Sequence, residues 1–352
     1  HAVVVVAPGA AGSDAAAIAA ELLARHGAPR GQAPVRVGVA RPGGGHDITV
    51  MGVDEYVSRV VAGEMGGRAA PSALEAMAIT VRTFLEANRG RHGSEGFDVC
   101  DLTHCQVLGR PDASTAAAAR ATTGLVLMDS GSPAHVYYSS WCGGHTELPS
   151  HAWSSARDVV YLPARPDSAC MDGAPWTSEM TEPELRRVLE ASGLRGDRID
   201  GLRVMTRHPS GRAAELGITG MVPDRLDANA FRSAAGRLLG WQTVKSTWFE
   251  ARRSSTGYVL TGRGAGHGVG LCIRGAINRG RQGASRDDIL AAYFPGLRPS
   301  KAAAQRAGGS MPAARTLRVT LPEGEREARG ATRSLAVRLL QDVARRLGLP
   351  EP

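Results

Sequence analysis

The spacing of apolar and polar side chains changes several times along the chain, and each change marks an element. Over residues 35–40 and 47–51, β-branched and polar residues alternate on either side of Gly43-Gly44-Gly45, the pattern of a hairpin. From Asp54 the period becomes helical: Tyr56, Val57, Val60 and Val61 return at three- and four-residue steps, and Gly66-Gly67 ends the pattern. This predicts a helix over 54–65. A second helix is expected from Pro71, a residue suited to a first helical turn, to about Asn88. Further strands are expected at 125–128, 135–139, 202–206 and 258–261, and further helices at 182–191, 227–239, 270–279 and 287–293. Strands and helices mix without regular βαβ repetition. The expected class is therefore α+β, with mixed helices and mostly antiparallel β-structure around a substrate cleft.

The two ends are patterned differently. Residues 1–34 hold a short Val run, an Ala-rich helix at 14–25 that Ser13 can cap, and a stop at Gly27-Ala28-Pro29, which reads as a lead-in. Residues 299–315, rich in Ala, Gly and Arg, read as a linker. Residues 316–352 offer one strand at 317–321 and one helix at 332–347, too little for an independent core. The main domain is thus expected at 35–298.

Composition narrows the function classes. With 352 residues, 43% hydrophobic and 22% charged, the chain can bury a sizeable core, which excludes disorder throughout and collagen-like repetition. No stretch approaches the ~20 uninterrupted apolar residues of a membrane span. The chain begins with His1 and carries no basic stretch followed by an apolar one, so an export signal already removed and an extracytoplasmic location are the expectation. The formal charge is 42 − 34 = +8. Its arginines are scattered singly and seldom interleave with aromatics, so nucleic acid is not an expected partner. A positive surface still suits an anionic polymer such as a cell wall.

Candidate chemistry sits in four places. The stretch HGSEGFDVCDLTHC, 92–105, offers His92, Cys100, His104 and Cys105, four ligands suited to tetrahedral zinc. The spacing is not that of a standard finger, and the adjacent His104 and Cys105 can face one ion only across a sharp turn. A Cys100–Cys105 disulfide, or free thiols beside surface histidines, remains open. Cys142 and Cys170 can pair in an oxidising compartment, which leaves Cys272 over, as a small buried apolar residue. SSWCGGHTE, 139–147, follows a strand and brings polar side chains to the edge of a cleft, unless its glycines serve a turn alone. GRGAGHGVGLC, 262–272, fits neither a dinucleotide nor a phosphate loop, and its glycines leave His267 as the sizeable polar side chain. Glu64 falls in the last turn of the first helix, where the negative dipole end is expected to raise its pKa as a general acid requires. A solvated glutamate at a frayed end is the plainer alternative. Asp54 and Glu55 lie at the favourable end of the same helix and are expected to stabilise it.

Apart from His92 and Cys170, these residues fall within six ordered segments: VDEYVSRVVAGEM, ALEAMAITVRTF, DVCDLTHCQ, YYSSWCGGHTE, GRGAGHGVGLCIRGA and DDILAAYFPG. Over residues 35–296 the chain resembles the stage II sporulation protein D family of peptidoglycan-cleaving enzymes. It departs from the family pattern at Ala265 and at Ile273-Arg274. The resemblance implies a lytic transglycosylase that acts on peptidoglycan glycan strands, with Glu64 as acid and base. It also implies a zinc site in some members, matching Cys100, His104, Cys105 and His92, of the closed structural form because two thiolates and two imidazoles fill it. Arg82, His145 and His267 would then position the sugar or steady developing charge, with Ser140, Gly143, Gly144, Thr146, Gly266 and Gly268 along the substrate. A hydrolase in which zinc activates water is disfavoured, since such a metal keeps an open position. The family also holds members that modulate an amidase, so a non-catalytic wall-binding regulator with an amidase partner is the alternative.

Overall fold

The computed structural model describes residues 33–301. The expected helix at 14–25, the strand at 317–321, the helix at 332–347 and nearly all of the 299–315 linker lie outside the described residues. In chain order the elements are β1 (Val35–Ala40), β2 (His46–Met51), α1 (Val53–Glu64), α2 (Pro71–Ala87), β3 (Val99–Cys100), α3 (Ala113–Ala121), β4 (Leu125–Asp129), β5 (Ser132–Pro133), β6 (Tyr138–Ser139), α4 (Pro149–Ala152), β7 (Trp176–Thr181), α5 (Glu182–Ala191), β8 (Gly201–Arg207), β9 (Ala213–Thr219), β10 (Arg225–Asp227), α6 (Ala228–Leu239), β11 (Phe249–Arg253), β12 (Gly257–Gly262), β13 (Leu271–Cys272), α7 (Ile273–Arg281), α8 (Arg286–Tyr293) and β14 (Pro299–Lys301). They form an α+β fold of small sheets, antiparallel except where β3 joins β1 and β13 joins β6 in parallel. Among the described residues no helix is long and apolar enough to cross a membrane.

The hairpin and the first two helices follow the hydrophobic pattern closely. Val35 and Val37 of β1 are fully buried, and α1 buries Tyr56, Val57, Val60 and Val61, the stripe its 3.6-residue period dictates. The next helix, α2, buries twelve of its seventeen residues, so it is the centre of the core rather than a surface helix. Around it pack α1, α3 and β4, and from much later in the chain α7 and α8. Its polar residues are satisfied inside. Thr80 and Thr83 hydroxyls donate to carbonyls one turn back, at 2.8 and 2.7 Å, and Thr83 also accepts the Leu127 N–H at 2.9 Å. Arg82, 1% exposed, places Nη1 2.8 Å from Asp54 of α1 and donates from Nη2 to the Ala119 carbonyl of α3.

Four departures from the sequence pattern stand out. Helix α3, ASTAAAARA, is alanine-rich and offers no large apolar side chain, yet Asp112 and Thr115 cap it reciprocally. The strand expected at 135–139 is ordered as β only at Tyr138–Ser139, where it pairs with β13. That pairing also delays the helix expected at 270–279, which starts at Ile273 with the Cys272 thiol accepting the Gly275 N–H. Strands β7, β9 and β11 were not marked by the alternation, and β12 needs β7 and β11 on its two sides.

Because Arg82 is a buried cation with its counter-charge on another helix, Asp54→Ala is expected to cost roughly 3 kcal/mol in urea unfolding. The double replacement Asp54→Ala, Arg82→Met should lose less than Asp54→Ala alone, since it leaves no charge stranded. Equal losses for both would show that the pair does not organise the core.

Candidate functional site

The corner around Glu64 is made by two glycines. A Cβ on Gly63 would lie 2.5 Å from the Val107 carbonyl oxygen, and one on Gly109 would lie 2.5 Å from the Gly63 nitrogen, so the helix and the following loop touch backbone to backbone. That contact lets the Val107 N–H donate to Glu64 Oε1 at 3.0 Å, and the Tyr138 hydroxyl reaches the same oxygen at 3.2 Å. Gln106 accepts from the Tyr56 hydroxyl at 2.9 Å immediately beside them. Burial pushes the Glu64 carboxyl pKa up, against these two hydrogen bonds, which favour the anion. The direction is the one expected from sequence; the leading cause is desolvation and not the helix end. Burial also holds the Tyr138 phenol protonated, so it remains a donor.

The second cluster lies on the same loop. His92 precedes a short 3₁₀ turn, Cys100 is on β3, and a turn closed by Cys105 N–H to Leu102 C=O at 2.8 Å points the adjacent His104 and Cys105 to one spot. One donor atom from each of His92, Cys100, His104 and Cys105 lies within 4.8 Å of the others, an arrangement that could hold a metal ion. His104 Nε2 is 3.2 Å from both Cys100 Sγ and His92 Nε2. Glu95 Oε1, 2.6 Å from His92 Nδ1, orients that ring so that Nε2 faces the cluster. Glu95 was not singled out in the sequence, although its three-residue offset from His92 was a signal.

The two glycine-rich segments meet. Trp141 and Ala265 form an antiparallel bridge, a Cβ on Gly143 would be 3.1 Å from the Gly264 nitrogen, and one on Gly266 would be 3.0 Å from Ser139 Cβ. Gly143, Gly144, Gly266 and Gly268 all have positive φ, which makes glycine the fitting residue. Gly268 also lies against the guanidinium of Arg212, which donates to the carbonyls of Cys142 at 2.8 Å and His145 at 3.1 Å. Arg212 is 2% exposed and was missed in the sequence, where it is one arginine among forty. His267 stacks near Trp153, with ring centroids 4.7 Å apart, and its Nδ1 accepts the Val269 N–H. Desolvation, then the charges of Arg232 and Arg212, hold its pKa down at about 3, so it is a neutral ring.

Other expected site residues fall elsewhere. Arg82 does not approach Glu64; its partner Asp54 is ten residues away on α1, about 15 Å along the helix. Thr146 does not edge a cleft, because it is buried and donates to the Pro163 carbonyl at 2.8 Å. Glu147 is likewise buried, held by the Ser210 hydroxyl, the Leu148 N–H and His151. Ser140 is exposed and its carbonyl accepts the Arg274 N–H, while His145 places Nδ1 2.7 Å from the Thr146 carbonyl. Among the described residues no hydrogen bond joins Glu64 to Arg82, His145 or His267. All five cysteines are free thiols: Cys142 and Cys170 come close without bonding, and Cys272 is not left over but lies with them.

Residues 43–128, which hold Glu64 and the Cys/His loop, match the family model described as stage II sporulation protein, and residues 157–270 match a domain of unknown function. Stage II sporulation protein D of Bacillus amyloliquefaciens is 28% identical, the match covering 77% of this chain and 80% of that protein. An uncharacterized protein of Brachyspira hyodysenteriae is 26% identical over 71% of this chain and 67% of its own. The amidase enhancer of Bacillus subtilis is 25% identical over 67% of this chain and 39% of its length.

The raised Glu64 pKa carries a stability consequence. Below the unfolded value near ~4.3 both states hold the proton. As pH rises toward the folded value the unfolded chain ionises first, so the native state loses stability across that window. Glu64→Gln keeps an acceptor for Val107 and Tyr138 but has no charge to desolvate. Its melting temperature is therefore expected to match the parent near pH 4 and to equal or exceed it at pH 7. A variant less stable at pH 7 than at pH 4, relative to the parent, would contradict the shift.

Proposed function

Because the chain belongs to the stage II sporulation protein D family, we propose that it is a peptidoglycan lytic transglycosylase with Glu64 as its single general acid and base. The observation that carries this reading is the half-buried Glu64 carboxyl, desolvated yet fixed by the Val107 N–H and the Tyr138 hydroxyl. A carboxyl whose pKa burial raises is suited to give a proton to the glycosidic oxygen between the muramyl and glucosaminyl sugars as the muramyl C1–O bond breaks. The carboxylate left behind takes the proton of the muramyl 6-hydroxyl while that oxygen closes onto C1. A 1,6-anhydro end results, no water is consumed, and Glu64 returns to its starting form. One carboxyl suffices, whereas a hydrolase uses two. Tyr138 and Val107 hold the oxygen in place throughout. The neutral His267 ring with Trp153 and the joined glycine segments suit an uncharged sugar face, with His267 positioning by hydrogen bond and not by charge.

His92, Cys100, His104 and Cys105 are proposed to hold a zinc ion. Two thiolates and two imidazoles leave no open position, so its part is structural: it orders the loop that carries Gln106 and Val107 to Glu64. The catalytic body is proposed as 35–298, acting outside the cytoplasm on glycan strands, with 1–34 a lead-in and 299–315 linking the 316–352 extension.

The test is digestion of purified glycan strands with mass analysis of the ends. The expected products are lighter by one water than hydrolytic ends, and Glu64→Gln should reduce cleavage by about 10²- to 10⁴-fold while remaining folded. Reducing ends, or undiminished cleavage by Glu64→Gln, would overturn the mechanism. A relative named amidase enhancer sets the second reading: no cleavage by the parent chain together with stimulation of an amidase would establish it. Chelation of the zinc is expected to lower the melting temperature and to weaken cleavage together, by loosening the 92–105 loop.

A further inference from the structure

A second group of ligand atoms lies in the core, away from the Cys/His loop. The Sγ atoms of Cys142, Cys170 and Cys272 and a carboxylate oxygen of Asp167 all lie within 4.8 Å of one another, and all four residues are buried, at 0, 0, 0 and 2% exposure. Three separate pieces of chain supply them: the WCGG turn after β6, the 3₁₀ turn Ser168–Cys170 with Asp167 just before it, and the end of β13. Cys170 Sγ is 3.2 Å from Cys272 Sγ, and Cys142 Sγ is 3.4 Å from Asp167 Oδ2. A tetrahedral site with metal–sulfur bonds of about 2.3 Å has ligand–ligand edges of about 3.8 Å, inside the range these atoms span.

We propose that Cys142, Asp167, Cys170 and Cys272 form a second metal site for zinc or a similar thiophilic divalent ion. Three sulfurs alone would be an ordinary apolar cluster. The carboxylate is what distinguishes this one: its Oδ2 lies 3.4 Å from Cys142 Sγ and makes the cluster a mixed sulfur–oxygen ligand set. Asp167 is held for that role from outside: Tyr293 donates to Oδ2 at 2.8 Å and Arg279 to Oδ1 at 2.8 Å. The sulfur of Cys272 accepts two backbone N–H groups, from Cys142 at 3.2 Å and from Gly275 at 3.3 Å, which fix its position. Binding releases the protons of the three thiols to solvent as three metal–sulfur bonds and one metal–oxygen bond form. Arg279 offsets part of the negative charge that results, and the buried Arg212 lies against the Cys142 carbonyl.

The site would act as a staple. Cys142 directly precedes Gly143-Gly144, and Cys272 follows Gly270 by two residues, so one ion ties both glycine-rich segments to the turn at 168–170. The two clusters use no ligand in common and can be separated by experiment. Cys100→Ser, Cys105→Ser abolishes the first. Purified without added metal, the parent chain is expected to hold about two zinc ions and this variant about one. Reduced, metal-free variant titrated with cobalt(II) should develop thiolate-to-cobalt charge-transfer absorption of a tetrahedral site. Tyr293→Phe, which leaves every ligand in place, should weaken that cobalt binding by about 10- to 100-fold. Should the variant fail to fold, the parent decides: two zinc ions per chain support the site and one overturns it. No charge-transfer band, with either three titratable thiols or a mass two hydrogens lighter from a Cys170–Cys272 disulfide, also overturns it.

Discussion

At Gly63 and Gly109 the backbone of a helix and that of the following loop lie in contact with no side chain between them, and the geometry around Glu64 depends on that contact. Any Cβ there would push the loop outward and take the Val107 N–H away from the carboxyl. The same loop begins in the Cys/His cluster, whose last member, Cys105, is two residues from Val107. The four candidate metal ligands and the Glu64 carboxyl are therefore joined by the shortest possible path, the chain itself. The helix supplies the carboxyl and the loop supplies its surroundings. Both lie within the matched residues 43–128.

The other half of the molecule is organised by Arg212. Its guanidinium is buried, donates to carbonyls on both sides of the Gly143-Gly144 turn, and fills the space that a side chain at 268 would need. Burial of so large a cation is costly unless its donors are used, so the two glycine-rich segments are fixed to one another through it. The charge has an electrostatic effect as well, since it contributes to keeping His267 neutral. A neutral imidazole beside Trp153 presents a ring edge and a polar tip.

Local pattern revealed much of this. Helix α1, the position of Glu64 at its end, the hairpin, and the convergence of His92, Cys100, His104 and Cys105 all follow from spacing within short windows. What stayed hidden depends on distant partners. Tyr138 looks like an ordinary strand residue until β6 is placed against α1, and Asp167 is unremarkable until α7 and α8 bring Arg279 and Tyr293 to it. Arg82 lies within the residues that match the sporulation family model, and its partners are Asp54 and the Ala119 carbonyl in the core. Alanine-rich α3 carries no hydrophobic signal because the methyl-sized face it buries is matched to close helix packing. Its cap, Asp112 with Thr115, was the legible clue.

The near-complete burial of α2 has a consequence for how the chain comes to be folded. Two of the helices that cover it, α7 and α8, are encoded about two hundred residues later, and closing a loop of that length carries an entropic cost before any contact repays it. While the ribosome is still making the middle of the protein, α2 has an apolar face with no cover. The core can close only when almost the whole of 33–301 has emerged. Until then the nascent chain depends on whatever shields the apolar faces of its first helices.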